Sequence, residues 1–260
     1  MDKLRVIKIG GTIIDDEAKL ASFLQAFAAV EGKKILVHGG GKLATRMAEA
    51  MGVQQQLVDG RRITDAATLR IVTMVYAGYI NKNIVAQLQS HGCNAIGLSG
   101  ADGDVIRAHK RRASIDYGYV GDVDAVNAEL LTQLLQQQDA VVLAPITHDG
   151  KGQLLNTNAD TIAQETATAL SASFAVDLVY SFEKSGVLLD INDETSVISS
   201  INSSSYAQLK TDGKIFAGML PKLDNAFAAL SSGVHKVIIG KAEELQELID
   251  GTKGTTIIHE

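Results

Sequence analysis

One cysteine, two prolines and no tryptophan occur among the 260 residues. A lone Cys93 excludes an intrachain disulfide framework and a cysteine-based zinc site. It stands in HGCNAIGLSG, which leads into a predicted strand, and reads as a buried structural thiol ahead of a nucleophile. The proline and tryptophan counts exclude nothing. Long apolar runs are also missing. No segment reaches the ~18 consecutive apolar residues of a membrane span, and the opening LRVIKIGG holds no signal-peptide core. The expectation is a soluble, cytoplasmic protein. Positive charge is short overall: 24 Lys and Arg stand against 30 Asp and Glu, a net charge of −6. With no basic cluster, this argues against a dedicated nucleic-acid binder. An anionic substrate would have to meet local positive charge, not a global field.

Apolar material is plentiful, at 46% hydrophobic against 21% charged residues. That suffices for one large α/β domain or two small lobes. Strands are predicted over Leu4–Ile9, Lys34–Val37, Ala95–Leu98, Ala140–Ala144, Phe174–Val179, Val234–Ile239 and Thr255–Ile258. Helices are predicted over Glu17–Val30, Leu43–Met51, Asp65–His91, Asn127–Gln137, Asp160–Leu170, Ser204–Lys210, Pro221–Ser231 and Ala242–Ile249. This alternation implies an α/β, three-layer αβα sandwich: an open, mainly parallel sheet with helices on both faces and right-handed crossovers. Two interruptions read as inserted β-hairpins. One runs from Val105 to Val120; the other is ITHDGKGQLLNTN, with Asp149-Gly150 as its turn. No internal repeat and no composition shift divides the chain. SSINSSS reads as a loop and helix cap.

Ligands of open parallel sheets bind beyond the C-terminal strand ends, and five stretches fall there. In VIKIGGT, Lys8 closes a strand before Gly10-Gly11. A sheet covered on both faces has little room for an ammonium unless it meets an anion at the sheet's end; a snorkelling lysine is the even alternative. In ILVHGGGKL, three glycines join a strand to a helix whose start favours a negative group. The spacing fits neither G-x-x-x-x-G-K-[ST] nor G-x-G-x-x-G. Lys42 could assist, and His38 reads as a structural hydrogen-bonder rather than a base. In DGRRITDA, a guanidinium suits a carboxylate, though surface charge near a helix start explains the pair equally well. In LLNTNADTIA, Asn156, Asn158 and Asp160 share one face of an extended segment; a Thr157–Asp160 capping box is the alternative. In GMLPKLDNA, Pro221 suits the first helical position, and Lys222 then faces the unfavourable end of the helix dipole, a penalty that Asp224 softens and an anion in front of the helix would reverse; taken alone, the segment reads more readily as a solvated lysine. Two lysines, two glycine turns, an arginine and an aspartate suit phosphoryl transfer, where positioning and charge stabilisation do most of the work. A carboxylate acceptor, ionised at pH 7, needs no general base.

KIGGTIIDD, LVHGGGK, DGRRIT, GLSGADGD, VVLAPI, NTNAD and GMLPKLDNA together resemble the amino acid kinase family, in the family's order and over nearly the whole chain. HGGG, the Arg followed by Thr, and N-x-N-A-D are similar to the branch whose acceptor is the γ-carboxylate of N-acetyl-L-glutamate, a step of arginine biosynthesis. The resemblance implies roles. Lys8 and Lys222 would stabilise the transferring phosphoryl group, and Asp160 would orient both. Gly11 and Gly40 would offer N–H groups to phosphoryl oxygens. Gly40 and Gly41 would border the acceptor, with Arg62 on a carboxylate and Asn156 and Asn158 holding the rest. ATP would lie near Ser181–Leu188 and the 213–218 loop, meeting Lys8, Gly10, Gly11, Glu183, Gly186, Val187, Gly218 and Lys222. Mg2+ would be held mainly by phosphates and water, and no protein ligand is named for it. The stretch SFEKSGVLLD departs from the family's Asp-rich turn, which touches the nucleotide contacts. One domain is implied, with an acyl-amino-acid lobe over about 1–172 and an ATP lobe over about 173–260. Lys8 comes so early that no extra N-terminal helix precedes it, so the resemblance implies a homodimer through Asp65–His91, without arginine feedback. Two alternatives stay open: another N-acyl-glutamate such as N-succinyl-glutamate, and a non-catalytic nucleotide or amino-acid sensor.

Overall fold

The first strand, β1 (Lys3–Ile9), sends successive side chains to opposite faces of a sheet. Leu4 and Val6 enter one core, Ile7 and Ile9 another, all fully buried. The computed structural model describes residues 1–58, 61–190, 192–215 and 219–259. After β1 come α1 (Gly11–Ile14), α2 (Glu17–Ala29), β2 (Lys33–His38), α3 (Gly41–Ala50) and a small antiparallel ribbon of β3 (Gln56–Val58) and β4 (Arg61–Ile63). Asp16 starts α2 by accepting the Lys19 backbone N–H at 3.0 Å. A long helical stretch follows: α4 (Ala66–Val72), a π-helical segment Thr73–Ile80, and α5 (Asn81–Ser90). Asp65 caps it by accepting from the Thr68 N–H at 2.7 Å. This is the helix expected over Asp65–His91, widened in its middle.

The chain continues through β5 (Ala95–Leu98), β6 (Ile106–Lys110), β7 (Val120–Val126), α6 (Ala128–Gln137), β8 (Ala140–Leu143), β9 (Ile146–His148), β10 (Leu154–Thr157) and α7 (Ala159–Leu170). It ends with β11 (Ala175–Phe182), β12 (Ser200–Ile201), α8 (Ser203–Thr211), α9 (Leu220–Ser231), β13 (Lys236–Lys241), α10 (Leu245–Asp250) and β14 (Thr255–Ile257). The main sheet runs β12-β14-β13-β11-β1-β2-β8-β5. Its pairings are parallel except for β13 with β14. The open, mainly parallel αβα architecture is therefore as expected. The two hairpins form as well, β6 with β7 and β9 with β10. They do not stay separate: β10 pairs with β7 and β6 with β9, closing a four-stranded barrel just past the end of β8.

Strand parity sorts the core. Leu4, Val6, Ile35, Val37, Val141 and Leu178 pack with Leu131 of α6, Ile162 of α7 and Leu223 of α9. Ile7, Ile9, Leu36, Val142 and Val179 pack with Phe23 and Phe27 of α2, Ala44 of α3 and Ile84 of α5. Truncating one of these fully buried leucines or isoleucines to alanine costs about 2–5 kcal/mol. Cys93 is buried in the second core as a free thiol, and burial pushes its pKa up, as suits a structural role.

One buried polar network joins the helical stretch to the sheet. The His38 Nδ1–H donates to the Gly39 carbonyl at 2.7 Å, so Nε2 accepts from the Asn81 side-chain amide at 3.3 Å. The same amide donates to the Val142 carbonyl at 3.1 Å. Lys82 donates to Asn81 Oδ1 at 3.0 Å and to the Gly97 carbonyl at 2.6 Å. These bonds fix the end of β2, where the glycine turn begins. Burial pushes the His38 pKa from 6.5 down to about 4. The unfolded chain therefore takes up a proton near pH 6.5 while the folded one waits until near pH 4. The stability is complete above 6.5 and drains away between 6.5 and 4, by about 3 kcal/mol in total. Urea melts across that range should show a shallower acid slope for His38→Gln than for wild type; identical slopes would contradict the assignment.

Candidate active site

Lys8 shares its face of β1 with Leu4 and Val6, the face covered by α7 and α9. It is next to last in the strand, so its ammonium can leave the sheet. Its Nζ lies 2.8 Å from Asp160 Oδ1 in the first turn of α7. A carboxylate there is favoured by the helix dipole. Lys222, in the first turn of α9, comes from the same layer. Its Nζ sits 4.2 Å from the centroid of the Phe182 ring, which closes β11. Burial pushes the Lys222 pKa down; Asp160 and Glu183 oppose that, and Lys8 adds to it. Glu183 accepts a hydrogen bond from the Thr12 hydroxyl. Burial would raise its pKa, but Thr12, Lys222 and Lys8 together hold it below the usual range.

Two glycine turns face this group from β1 and β2. The Gly10 N–H bonds to the Ser181 carbonyl at 3.0 Å, tying the first turn to β11. Gly40 precedes α3, and neither α3 nor α9 has a capping side chain. Asp15 takes one of the free donors, the Lys42 N–H, at 3.2 Å; the rest of the α3 start is open to an anion. Gly40 has to be glycine here, because a Cβ would stand 1.8 Å from Cε1 of Tyr76.

The polar far wall comes from β4, β10 and the hairpin barrel. Arg62 donates to the Gln55 side-chain carbonyl and, at 2.9 Å, to the Thr45 hydroxyl. Both acceptors are neutral, and among the described residues no carboxylate pairs with Arg62. Arg111, by contrast, is gripped by Asp122. Asn156 donates to the Thr64 hydroxyl at 3.0 Å. The Thr157–Asp160 capping box does not form. Asn158 caps α7 instead, accepting the Asp160 and Thr161 N–H groups at 2.8 and 3.2 Å. Thr157 turns inward to the Thr147 hydroxyl at 2.8 Å, because β10 runs one residue further than a Thr cap allows. The two arginines also lie in a strand rather than at a helix start.

These walls enclose a cleft of about 570 Å³, of the size of small-molecule sites. Lys8, Gly10, Gly11, Gly40, Arg62, Asn156, Asn158, Glu183 and Lys222 line it, with Asp160 behind Lys8 and Gly41 behind Gly40. Gly186 and Val187 are not among its lining residues; they pack on Thr255, whose hydroxyl accepts the Val187 N–H at 2.8 Å. Gly218 falls outside the described residues. Thr12, Asp15, Thr45, Tyr76 and Arg111 also line the cleft and escaped the sequence reading. Thr12 stood next to Gly10-Gly11 and carried a local signal. Tyr76 carried none, since the π-helical segment shifts the phase of its helix. Chemically, one end of the cleft offers two ammonium groups and open N–H groups, and the other offers an unneutralised guanidinium. That suits one ligand with several anionic oxygens beside another with a carboxylate.

A family model described as the amino acid kinase family matches residues 3–241. The acetylglutamate kinase of Cytophaga hutchinsonii is 56% identical over 262 residues, covering 99% of each chain. That of Bacteroides thetaiotaomicron is 55% identical over 247 residues, covering 95% of this chain and 96% of the relative. Among solved structures, an N-acetylglutamate synthase from Neisseria gonorrhoeae superposes with a TM-score of 0.82 at 20% identity, over 99% of this chain and 59% of that one. Carbamate kinase from Giardia lamblia bound to AMP-PNP gives 0.71 at 14% identity, over 100% and 99% of the two chains. The two structures share the fold; the family match and the near-full-length relatives settle the rest. This chain belongs to the amino acid kinase family.

Proposed function

We infer that this chain transfers the γ-phosphoryl group of ATP to the γ-carboxylate of N-acetyl-L-glutamate, a step of arginine biosynthesis. The observation that carries the reading is the meeting of Lys8, held by Asp160, with Lys222 in one cleft with Arg62, which among the described residues has no carboxylate partner. An acceptor carboxylate oxygen attacks the γ-phosphorus, the bond to the β–γ bridging oxygen breaks, and ADP leaves with that electron pair. No proton has to be removed first, because a carboxylate is already ionised. His38 is buried in the network described above, which agrees with the lack of a base.

Lys8 and Lys222 stand on either side of the transferring group and neutralise charge on its equatorial oxygens. Asp160 holds Lys8 in place and keeps two close ammonium groups compatible. Gly11 and Gly40 aim N–H groups at the same oxygens. Arg62 clamps the acceptor's α-carboxylate, while Asn156 and Asn158 hold its acyl-amide side. Residues up to about 172 bind the acceptor and those after it the nucleotide, with Glu183 at the border. Mg2+ would be held mainly by phosphate oxygens and water, and we assign it no protein ligand. When bound it neutralises phosphate charge. The exposed Met74 and Tyr79 on the long helical stretch support pairing with a second copy there. Among the described residues no helix is long and apolar enough to cross a membrane, and we place the protein in the cytoplasm.

A second reading keeps the reaction and changes the acyl group. Arg111 reaches the cleft and would suit the distal carboxylate of an N-succinyl group, at the expense of its bond to Asp122. Comparing kcat/KM for N-acetyl- and N-succinyl-L-glutamate decides between them: the acetyl compound should win, and a large succinyl preference would change the acyl group but not the chemistry.

Mixing ATP, Mg2+, N-acetyl-L-glutamate and hydroxylamine should yield the hydroxamate of the acyl phosphate. Ligand-dependent melting without hydroxamate would leave only a sensor. Lys8→Ala and Lys222→Ala should each cut kcat about 10²–10³-fold with melting little changed; near-wild-type rates in both would remove the mechanism. The pH profile offers a further check. Lys222 acts as a cation, and burial depresses its pKa below 10.5. Its charge is thus lost, as pH rises, earlier than that of an exposed lysine. Wild-type kcat/KM should fall on this alkaline limb, and Lys222→Arg, charged throughout, should lose the limb while keeping some activity. A limb that survives in Lys222→Arg would assign it to another group.

A further inference from the structure

Tyr76 has no part in the scheme above, yet it touches two of its members. It sits in the π-helical segment and is 6% exposed, while Met74 and Tyr79 of the same segment face solvent. A π-helical turn re-aims the side chains it carries. Here it turns Tyr76 inward, under the glycine turn after β2. The ring atoms Cε1 and Cδ1 fill the space where a Cβ on residue 40 would stand, 1.8 and 1.9 Å from its ideal position. Tyr76 lines the same cleft as Arg62 and Asp15, and both charges act on its phenol. Burial pushes the phenol pKa up, so the hydroxyl keeps its proton at neutral pH.

We propose that Tyr76 is a positioning residue for the acceptor half of the site, fixing the orientation of Arg62 and the height of Gly40 without touching the phosphorus. The proposal rests on the assignment of Arg62 to the acceptor's carboxylate. Gln55 and Thr45 then hold the guanidinium through neutral oxygens, and the neutral Tyr76 phenol lies in the same cleft wall. Neutral acceptors hold the fork in one geometry and leave its charge for the ligand. A carboxylate in their place would hold it equally well and cancel that charge, as Asp122 does for Arg111. The hydroxyl is the informative atom, because phenylalanine would fill the same space without bringing a polar group into a buried wall.

The test is kinetic and uses the full chain with ATP, Mg2+ and N-acetyl-L-glutamate. Tyr76→Phe should raise KM for N-acetyl-L-glutamate about ten-fold, with kcat and KM for ATP within about two-fold of wild type. Gln55→Ala, at a second holder of Arg62, should show the same acceptor-only signature and covers the case of a poorly folding Tyr76 variant. Added to Arg62→Lys, Tyr76→Phe should cost less than about two-fold more, since the fork it orients is gone. An unchanged acceptor KM in Tyr76→Phe and Gln55→Ala overturns the proposal. So does an equal rise in both KM values, or effects of Tyr76→Phe and Arg62→Lys that simply multiply. If the wild type turns over and Tyr76→Phe matches it, this inference alone fails. If the wild type phosphorylates no N-acylglutamate, the parent reading fails and takes this one with it.

Discussion

The contact between Lys8 and Asp160 at 2.8 Å is the constraint on which the rest of the site depends. It joins the central strand to the start of α7, and so joins the two strand systems that build the cleft. A lysine at the end of a covered strand is costly unless something receives its charge. Asp160 receives it and leaves the ammonium aimed outward. The same carboxylate moderates Lys222, which reaches the site from a helix some sixty residues later in the chain. Without Asp160, the burial and the neighbouring Lys8 that lower the Lys222 pKa would go less opposed. Charge balance between three side chains therefore sets how much positive charge this end of the cleft presents.

The fold serves this arrangement through parity. Because strand residues alternate faces, Leu4, Val6 and Lys8 look the same way, toward α7 and α9. The core and the chemistry are thus specified by one periodic pattern, and a one-residue slip of β1 would lose both. On the other face, Ile7 and Ile9 hold the α2 layer, and the His38–Asn81 network fixes where β2 stops and the glycine turn begins. The glycine turn after β2 rests on that second layer, the lysine pair on the first. A cleft that straddles the sheet's C-terminal edge lets two kinds of ligand meet from opposite layers.

Much of this was legible in the sequence, for reasons that can be named. Strand and helix alternation gave the sheet because long, strongly periodic runs dominate local noise. Lys8 and Lys222 stood out because each sits where a cation is unfavourable without an anion nearby. Other features depended on tertiary register. Whether Thr157 or Asn158 caps α7 turns on where β10 ends, and β10 ends where β7 and β9 release it. The hairpins were readable, but not their closure into a barrel, because that requires strands distant in sequence to pair. Tyr76 was hidden by the π-helical segment, which breaks the 3.6-residue period that sequence patterns use. Arg62 could be singled out as a type of residue, though that no carboxylate among the described residues pairs with it appears only in three dimensions. Gly186 and Val187 lie against Thr255, just past the Glu183-Lys184 stretch where the sequence departs from the family's Asp-rich turn.

The most direct measurement is a crystal structure with ADP, Mg2+, aluminium fluoride and N-acetyl-L-glutamate, in which the planar fluoride mimics the phosphoryl group in flight. The account predicts the fluoride between the acceptor's γ-carboxylate and the ADP β-phosphate, with Lys8 Nζ and Lys222 Nζ both about 3 Å from its fluorine atoms. A fluoride bound with either ammonium group turned away, or seated outside the cleft, would contradict it.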